Sequence, residues 1–229
     1  MVKVVATADL HGELPDIPEC DLLLIAGDVC PDGSALFQGR WLANHFRKWL
    51  EKAPAKEIVG IAGNHDVIFE HYTHFLPNDL PWHYLQDEAK KVLGFKIYGT
   101  PWQLPFWGAF NLDEAFLRMQ YQKVPSDIDI FISHGPPKGI LDKVGTEHTG
   151  SSALRDKIAE IQPKLFVCGH IHCDTGTRQI DKTLYANVSL LNNDMKISHP
   201  PFVFELQHDN VHLIKENSST KNLWQANSL

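Results

Sequence analysis

The sequence predicts an α/β layered protein, and three observations carry that prediction. Short apolar runs rich in valine, leucine and isoleucine have the composition of strands buried on both faces. Stretches with helical spacing of apolar residues alternate with these runs. Segments late in the chain alternate polar and apolar residues, as antiparallel strands do. The five apolar runs are VKVVATA at 2–8, DLLLIAG at 21–27, EIVGIAG at 57–63, DIDIFIS at 127–133 and PKLFVCG at 163–169.

The first helix is predicted over residues 35–52, between the second and third apolar runs. Pro54 follows this segment and cannot continue a helix, so it marks the end. The residues that recur at helix-like intervals, and are expected to face the core, are Leu36, Trp41, Leu42, Phe46, Trp49 and Leu50.

Two further helices are predicted in the second half of the chain. Phe116, Leu117 and Met119 mark the first of them, which Asn111 or Asp113 would begin. The other would start at a cap formed by Ser151 or Ser152, and would run to Ile161, because Pro163 stops it.

The remaining strands are predicted from shorter patterns. Residues 88–99 have the pattern of a hairpin that turns at Gly94. Antiparallel strands are expected at 178–187, 202–207 and 211–215. No repeat or interdomain linker interrupts the 229-residue chain, which suits one domain at 1–216 followed by a polar tail at 217–229.

Charge and composition limit the partners. The formal net charge of −7 disfavours long duplex nucleic acid, because phosphate contacts need a basic face, but it allows a small phosphorylated substrate. No run reaches the ~18–20 apolar residues that span a bilayer, so we expect no membrane partner and a cytoplasmic location. The spacing of the four cysteines suggests free thiols, since Cys168 and Cys173 fit a zinc knuckle poorly. The oligomeric state is left open.

Polar residues with metal-binding side chains follow each of the five apolar runs. Any single fragment has an ordinary explanation, such as a turn, a loop or a hydrogen-bonded core histidine. Their recurrence at five strand ends favours one site that holds two metal ions, built where the strand ends meet. The fragments are Asp9-x-His11, Gly27-Asp28, Gly63-Asn64-His65-Asp66, His134 and Gly169-His170-Ile171-His172.

This ordered set resembles the calcineurin-like metallophosphoesterase superfamily over roughly residues 2–190. The stretches YGTPWQLPFWGAFN at 98–111 and SHGPPKGILD at 133–142 resemble the small single-domain MPPED-type phosphodiesterases. The resemblance implies a two-sheet β-sandwich flanked by helices. It also implies a metal-dependent phosphoesterase.

The resemblance further implies which residues bind the two ions, with Asp28 as the bridge between them. The donors are nitrogen and oxygen without thiolate, which favours Mn²⁺ and also suits Fe, Zn²⁺, Ni²⁺ or Co²⁺. The first ion would be bound by Asp9, His11, Asp28 and His172, and the second by Asp28, Asn64, His134 and His170.

The charge of such a site predicts the class of substrate. Two divalent ions and two carboxylates leave a net charge of about +2, or about +1 with a bridging hydroxide, and this favours a phosphate oxygen over a neutral carbonyl. Coordination also lowers the pKa of bound water towards neutrality, which supplies a hydroxide nucleophile.

By resemblance, His65 faces the substrate, stabilises the phosphoryl oxygens and protonates the leaving oxygen as a general acid. Asn64 would contact the same phosphate. Asp66 would hold the second ring nitrogen of His65. The alternative for Asp66 is that it caps the following helix.

The aromatic segment around residues 102–110 allows two interpretations. Its rings pack the loop against the domain, or they form a wall of the substrate cleft that stacks on a base or an aryl group. His148, which precedes a predicted helix, is a further candidate for substrate contact. The rings concerned are Trp102, Phe106, Trp107 and Phe110.

The function predicted from the sequence is a metal-dependent phosphodiesterase for small nucleotide-like or cyclic diesters. A phosphomonoesterase and a nucleotide pyrophosphatase are the alternatives within the same site. The protein phosphatases of the superfamily carry arginines after the Gly-Asp and Gly-Asn-His elements, whereas 27–33 and 63–67 contain none. A non-catalytic scaffold is disfavoured because all motif histidines are present.

Overall fold

The computed structural model describes residues 1–207 and 210–214. The predicted polar tail at 217–229 lies outside the described residues, so the boundary at 216 stays a prediction. Within the described part of the chain, no helix is long and apolar enough to cross a membrane.

One six-stranded sheet holds the first three apolar runs. Its three central strands are parallel, so their carboxyl ends lie at the same edge, and the strand that returns late in the chain is antiparallel to β1. In spatial order the strands are β14 (Val211–Leu213), β13 (Phe202–Leu206), β1 (Val2–Thr7), β2 (Cys20–Ala26), β3 (Ala55–Ile61) and β4 (His83–Tyr84).

A second six-stranded sheet holds the other two apolar runs. Its four central strands are parallel, and each edge strand is antiparallel to its neighbour. In spatial order the strands are β11 (Gly176–Ile180), β12 (Thr183–Asn187), β10 (Leu165–Cys168), β7 (Ile130–Ser133), β6 (Phe95–Thr100) and β5 (Glu88–Val92). A separate short hairpin pairs β8 (Lys143–Val144) with β9 (Glu147–His148).

The two sheets pack face to face around a common core. Val4 and Leu24 of the first sheet share this core with Ile130 and Val167 of the second, and all four are fully buried. Removing a side chain of this size from water stabilises the fold by about 1.5–3 kcal/mol. The predicted two-sheet sandwich is therefore confirmed.

Helices cover the outer faces of both sheets. On the first sheet lie α1 (Ala35–Trp41), a π-helical turn at Leu42–Phe46, α2 (Arg47–Lys52) and α3 (Val67–His71). On the second lie α4 (Glu114–Tyr121) and α5 (Ser152–Ile161).

The helix predictions hold in extent but not for every residue. The segment 35–52 is helical throughout, yet the π turn shifts its helical phase, and Leu36 is 47% exposed rather than buried. In α4, Leu117 is buried while Phe116 and Met119 face solvent. The cap of α5 is as expected, because Ser151 Oγ accepts the backbone N–H of Leu154.

The late strands differ from expectation in one respect. The segment predicted at 178–187 forms the antiparallel pair β11 and β12, but β12 also pairs parallel with β10. The two-residue strands β4, β8 and β9 were not predicted, because a run of two residues shows no periodicity. The hairpin at Gly94 is confirmed, with β5 and β6 on either side.

Candidate metal centre and active site

The loops after β1, β2, β3, β7 and β10 converge where the carboxyl ends of the two sheets meet. Asp9, His11 and His172 place one ligand atom each within 4.8 Å of one another. Asp9, Asp28 and His134 form a second such group. The chain thus brings together residues that are up to 163 positions apart in the sequence, as expected for strand ends at one edge.

Asp28 lies between histidines from two different loops. Its Oδ2 is 3.6 Å from His11 Nε2 and 3.3 Å from His134 Nε2. Asn64 Oδ1 is 3.0 Å from the same His134 nitrogen. One carboxylate therefore faces both halves of the site.

Two of the histidines are oriented by backbone carbonyls. His134 Nδ1 donates to Ala26 O at 2.9 Å, and His172 Nδ1 donates to Asn192 O at 3.2 Å. A carbonyl can only accept, so Nδ1 carries a proton in both rings and Nε2 faces the site. His172 Nε2 is 3.5 Å from Asp9 Oδ1.

Asp9 is buried and surrounded by donors. The backbone N–H of His170 donates to both carboxylate oxygens, at 3.0 and 2.9 Å, and the hydroxyl of Ser189 donates to Oδ2. Burial raises the pKa of Asp9, but the hydrogen bond and charge of His172 and the charge of His134 outweigh burial and lower it to about 2. The carboxylate is thus ionised at neutral pH.

Opposed electrostatic effects act on the other buried groups. Burial raises the pKa of Asp28, but His134 and His11 lower it well below its usual range. Burial lowers the pKa of His134, but Asp28 raises it to about 9. For His170, burial and the neighbouring His134 lower the pKa to about 4, so its ring is neutral and able to donate a lone pair.

Four residues of the site have left-handed backbone angles. Asp9, His11, Asp28 and His170 have φ values of 54°, 44°, 52° and 67°. Such left-handed angles cost free energy in residues other than glycine, and they persist where the surroundings impose them. Gly63 allows a further close approach, because a Cβ at this position would lie 2.3 Å from Asp28 Oδ1.

The donor set fits two divalent cations. Both ring nitrogens of His11 and the Nδ2 of Asn64 are buried without a hydrogen-bond partner among the described residues. An unpartnered buried polar group costs roughly 1–3 kcal/mol, which a bound ion can recover at a histidine nitrogen. The available ligand atoms are carboxylate oxygen, amide oxygen and imidazole nitrogen, which suit Mn²⁺ and the other divalent transition metals named above.

His65 lies beside this cluster and pairs with a residue that the sequence interpretation missed. Its Nδ1 is 2.6 Å from Asp32 Oδ1, and its ring centroid is 4.5 Å from that of His11. The backbone N–H of His65 donates to Asp28 Oδ1 at 2.8 Å. The sequence did offer a signal for Asp32, because it is a carboxylate that lies four positions after Asp28.

Both expectations for Asp66 were wrong. Its buried carboxylate accepts backbone N–H groups of Val29, Cys30 and Gly63, at 3.1, 2.7 and 2.8 Å. It therefore joins the loop after β2 to the loop after β3. It contacts neither ring nitrogen of His65, and it precedes α3 without a side-chain capping bond.

A cavity of about 560 Å³ opens from these candidate metal ligands. His11, Asp28, His65, His170 and His172 form its polar end. Its remaining wall is mostly apolar, and it includes Trp102, Leu104, Phe106, Pro136, Leu154 and Ile171.

The aromatic residues divide between the two interpretations. Trp102 and Phe106 line the cavity, although Trp102 also packs into the core and donates Nε1–H to Asp87 at 2.6 Å. Trp107 lines a neighbouring cavity of about 520 Å³, and its ring centroid lies 4.9 Å from that of His65. Phe110 is fully buried, so for this ring the wall interpretation was wrong.

His148 pairs with a buried carboxylate. Its Nδ1 is 2.6 Å from Asp142 Oδ1, and the cavity is lined by its neighbours Thr149 and Gly150. Substrate contact by His148 therefore stays a prediction without support from the cavity wall. The four cysteines are free thiols, with only Cys173 exposed, which agrees with expectation.

A family model, two related proteins and one solved structure are similar to this chain. A family model described as calcineurin-like phosphoesterase matches residues 2–174. Metallophosphoesterase domain-containing protein 1 of Homo sapiens is 31% identical over 235 residues, which cover 89% of this chain and 71% of that protein. UPF0046 protein C25E10.12 of Caenorhabditis elegans is 26% identical over 222 residues, which cover 86% of this chain and 76% of that protein. TT1561 of Thermus thermophilus has the same fold, with a TM-score of 0.61 at 13% identity over 93% of this chain and 97% of that chain.

Proposed function

Because the chain belongs to the calcineurin-like phosphoesterase family and is therefore a metal-dependent phosphoester hydrolase, we propose that it hydrolyses small phosphodiesters at a site for two divalent ions. The diesters would be nucleotide-like or cyclic. The observation that supports the two-ion site most strongly is the position of Asp28 Oδ2, within 3.6 Å of His11 Nε2 and 3.3 Å of His134 Nε2.

In this proposal Asp28 is shared by both ions, and manganese is the first choice of metal. When bound, the ions supply Lewis acidity towards the phosphoryl oxygens and lower the pKa of water at the site. The contacts of His134 and His172 support the assignment, because backbone carbonyls hold their rings with Nε2 towards the carboxylates. One ion would be held by Asp9, His11, Asp28 and His172, and the other by Asp28, Asn64, His134 and His170.

His65 is the proposed general acid. Asp32 occupies its Nδ1, which leaves Nε2 as the nitrogen available to the substrate. The residue lines the cavity beside His11 and Asp28. From this position it would stabilise the phosphoryl oxygens and deliver a proton to the leaving oxygen.

A diester suits the charge of the site better than a monoester. A monoester dianion carries three non-bridging oxygens and usually needs additional cationic donors. Among the described residues that line the cavity there is neither lysine nor arginine. A diester monoanion needs fewer donors, and the cavity beside Trp102 and Phe106 has space for an ester substituent.

The test compares a diester with a monoester that has the same leaving group. With saturating Mn²⁺ at neutral pH, kcat/KM for bis-p-nitrophenyl phosphate should exceed that for p-nitrophenyl phosphate. A preference for the monoester would assign the protein to the phosphomonoesterases instead. Faster turnover of a dinucleoside polyphosphate than of any diester would favour the pyrophosphatase alternative.

A further inference from the structure

The cavity beside the metal centre has almost no charge away from its polar end. Of its lining residues in the described structure, Asp28 is the one Asp, Glu, Lys or Arg, and it belongs to the metal centre. Trp102, Leu104, Phe106 and Leu154 form much of the remaining wall. Such a wall suits an uncharged and largely flat group, and about 560 Å³ lies within the range of small-molecule sites, which is roughly 300–1,000 Å³.

Gln103 is a buried polar residue of this wall. It is only 3% exposed, and neither Oε1 nor Nε2 of its carboxamide has a hydrogen-bond partner among the described residues. Its backbone is fully engaged, since its N–H donates to Phe110 O at 3.0 Å and its carbonyl accepts from Leu112 N at 2.9 Å. The loop therefore holds the backbone of Gln103 in place, while its carboxamide has no partner in the described part of the chain.

Other polar side chains of the wall are already paired. Thr149 donates its hydroxyl to Asp142 O at 2.9 Å. Ser151 donates to Glu114 and accepts from the backbone of Leu154. A buried donor and acceptor without partners are costly, and a bound group can supply those partners. Among the buried polar side chains of this wall in the described structure, Gln103 is therefore the one whose carboxamide lacks a partner.

We propose that Gln103 is a specificity-determining residue: its carboxamide, whose two polar atoms are buried in this structure, turns into the cavity and hydrogen-bonds the edge of a nucleobase held there. A carboxamide presents one acceptor beside two donors, which matches the amino group and adjacent ring nitrogen of adenine. The rings of Trp102 and Phe106 supply aromatic surface for the flat faces of a base. The inference rests on the proposed function for its substrate, a nucleoside phosphodiester.

The first experiment measures binding without hydrolysis. Adenosine, which has no phosphate, is titrated into Mn²⁺-loaded protein by calorimetry for wild type, Gln103→Leu and Leu104→Ala. Gln103→Leu should weaken binding about tenfold to a hundredfold, the usual range for a two-point contact to a base. The control Leu104→Ala removes wall area only. For an aromatic ligand without a polar edge, such as toluene, Gln103→Leu should bind as well as wild type.

The second experiment measures discrimination in catalysis. The p-nitrophenyl ester of adenosine 5′-phosphate is compared with bis-p-nitrophenyl phosphate, since the leaving group is identical. Gln103→Leu should lose about tenfold to a hundredfold in kcat/KM on the nucleoside ester and stay within twofold of wild type on the other. If Gln103→Leu does not fold, Gln103→Met takes its place in the test. This variant keeps an unbranched side chain and should give the same selective loss.

The outcomes separate this inference from the proposed function. Equal effects of Gln103→Leu on both diesters, with unchanged adenosine binding, would overturn the role of Gln103 and leave the phosphodiesterase intact. Adenosine binding that depends on Gln103, in a protein that hydrolyses no diester, would retain the base site and remove the proposed function.

Discussion

The Nδ1 atom of His65 lies 2.6 Å from Oδ1 of Asp32, although the two residues belong to loops after different strands. Asp32 follows β2 and His65 follows β3. The Asp32 side chain is 63% exposed, whereas that of His65 is only 20% exposed. An accessible carboxylate thus holds Nδ1 of a more buried imidazole, and Nε2 is left for the cavity that His65 lines.

Asp32→Asn should lower kcat without loss of metal. The substitution replaces a charged acceptor that orients His65 with a neutral amide, so we expect kcat to fall about tenfold to a hundredfold, less than for loss of the imidazole itself. Metal content and thermal stability should equal those of wild type. Asp79→Asn, which alters an exposed ion pair with Arg47, is the matched control and should leave kcat unchanged. Unaltered kcat in Asp32→Asn would exclude a positioning role for this carboxylate.

His65→Ala should keep both ions and lose catalysis. Its proposed contact is with phosphate and leaving group, so kcat should fall by ~10²–10⁴, the usual scale for a lost general acid. The loss should be smaller for p-nitrophenolate than for an alkoxide leaving group, since a weakly basic oxygen needs little protonation. Equal losses for both would assign His65 to phosphate stabilisation alone. If this variant lost metal, the proposal that His65 acts on the substrate and does not bind the ions would be wrong.

Asp28→Asn should lose both metal and activity. No other carboxylate in the described structure lies within 4 Å of both His11 and His134, and an amide offers a single oxygen to two ions. Elemental analysis should approach two manganese ions per wild-type chain and fall well below one in the variant. Added Mn²⁺ should raise Tm in wild type only, because an ion stabilises the state that binds it. A metal-free variant with full activity would disprove the proposed site.

Asp66→Ala should mainly lower the free energy of unfolding. Its effect on catalysis by His65 should be the smaller one. The change leaves three buried N–H groups without their acceptor, which is expected to cost about 3 kcal/mol or more in the free energy of unfolding. Urea denaturation measures this, and Asp127→Ala, which breaks an exposed pair with Lys96, should leave the free energy of unfolding close to that of wild type. If Asp66→Ala were as stable as wild type but inactive, a direct catalytic role for Asp66 would be restored.

The sequence alone predicted the longer strands and the residue types of the candidate site. Buried strands show in local composition, and the polar residues that follow them are adjacent in the chain, so both can be recognised over a few residues. Parallel strands place their carboxyl ends at one edge, which is why Asp9, Asp28 and His134 could be expected together before any distance was known. The two-sheet arrangement came from family resemblance, and the core shared by Val4 and Ile130 confirms it.

The tertiary structure alone decided which side chains pair. Asp32 and Asp66 are both carboxylates near His65, but the register of β2 against β3 brings Asp32 to the imidazole and Asp66 to the backbone of Val29 and Cys30. Likewise, the sequence shows a glutamine at 103 but not that its carboxamide is buried beside a cavity without a partner from residues 1–207 and 210–214. Such contacts depend on side-chain positions within about 3 Å, set by packing between residues far apart in the chain, and no local pattern encodes them.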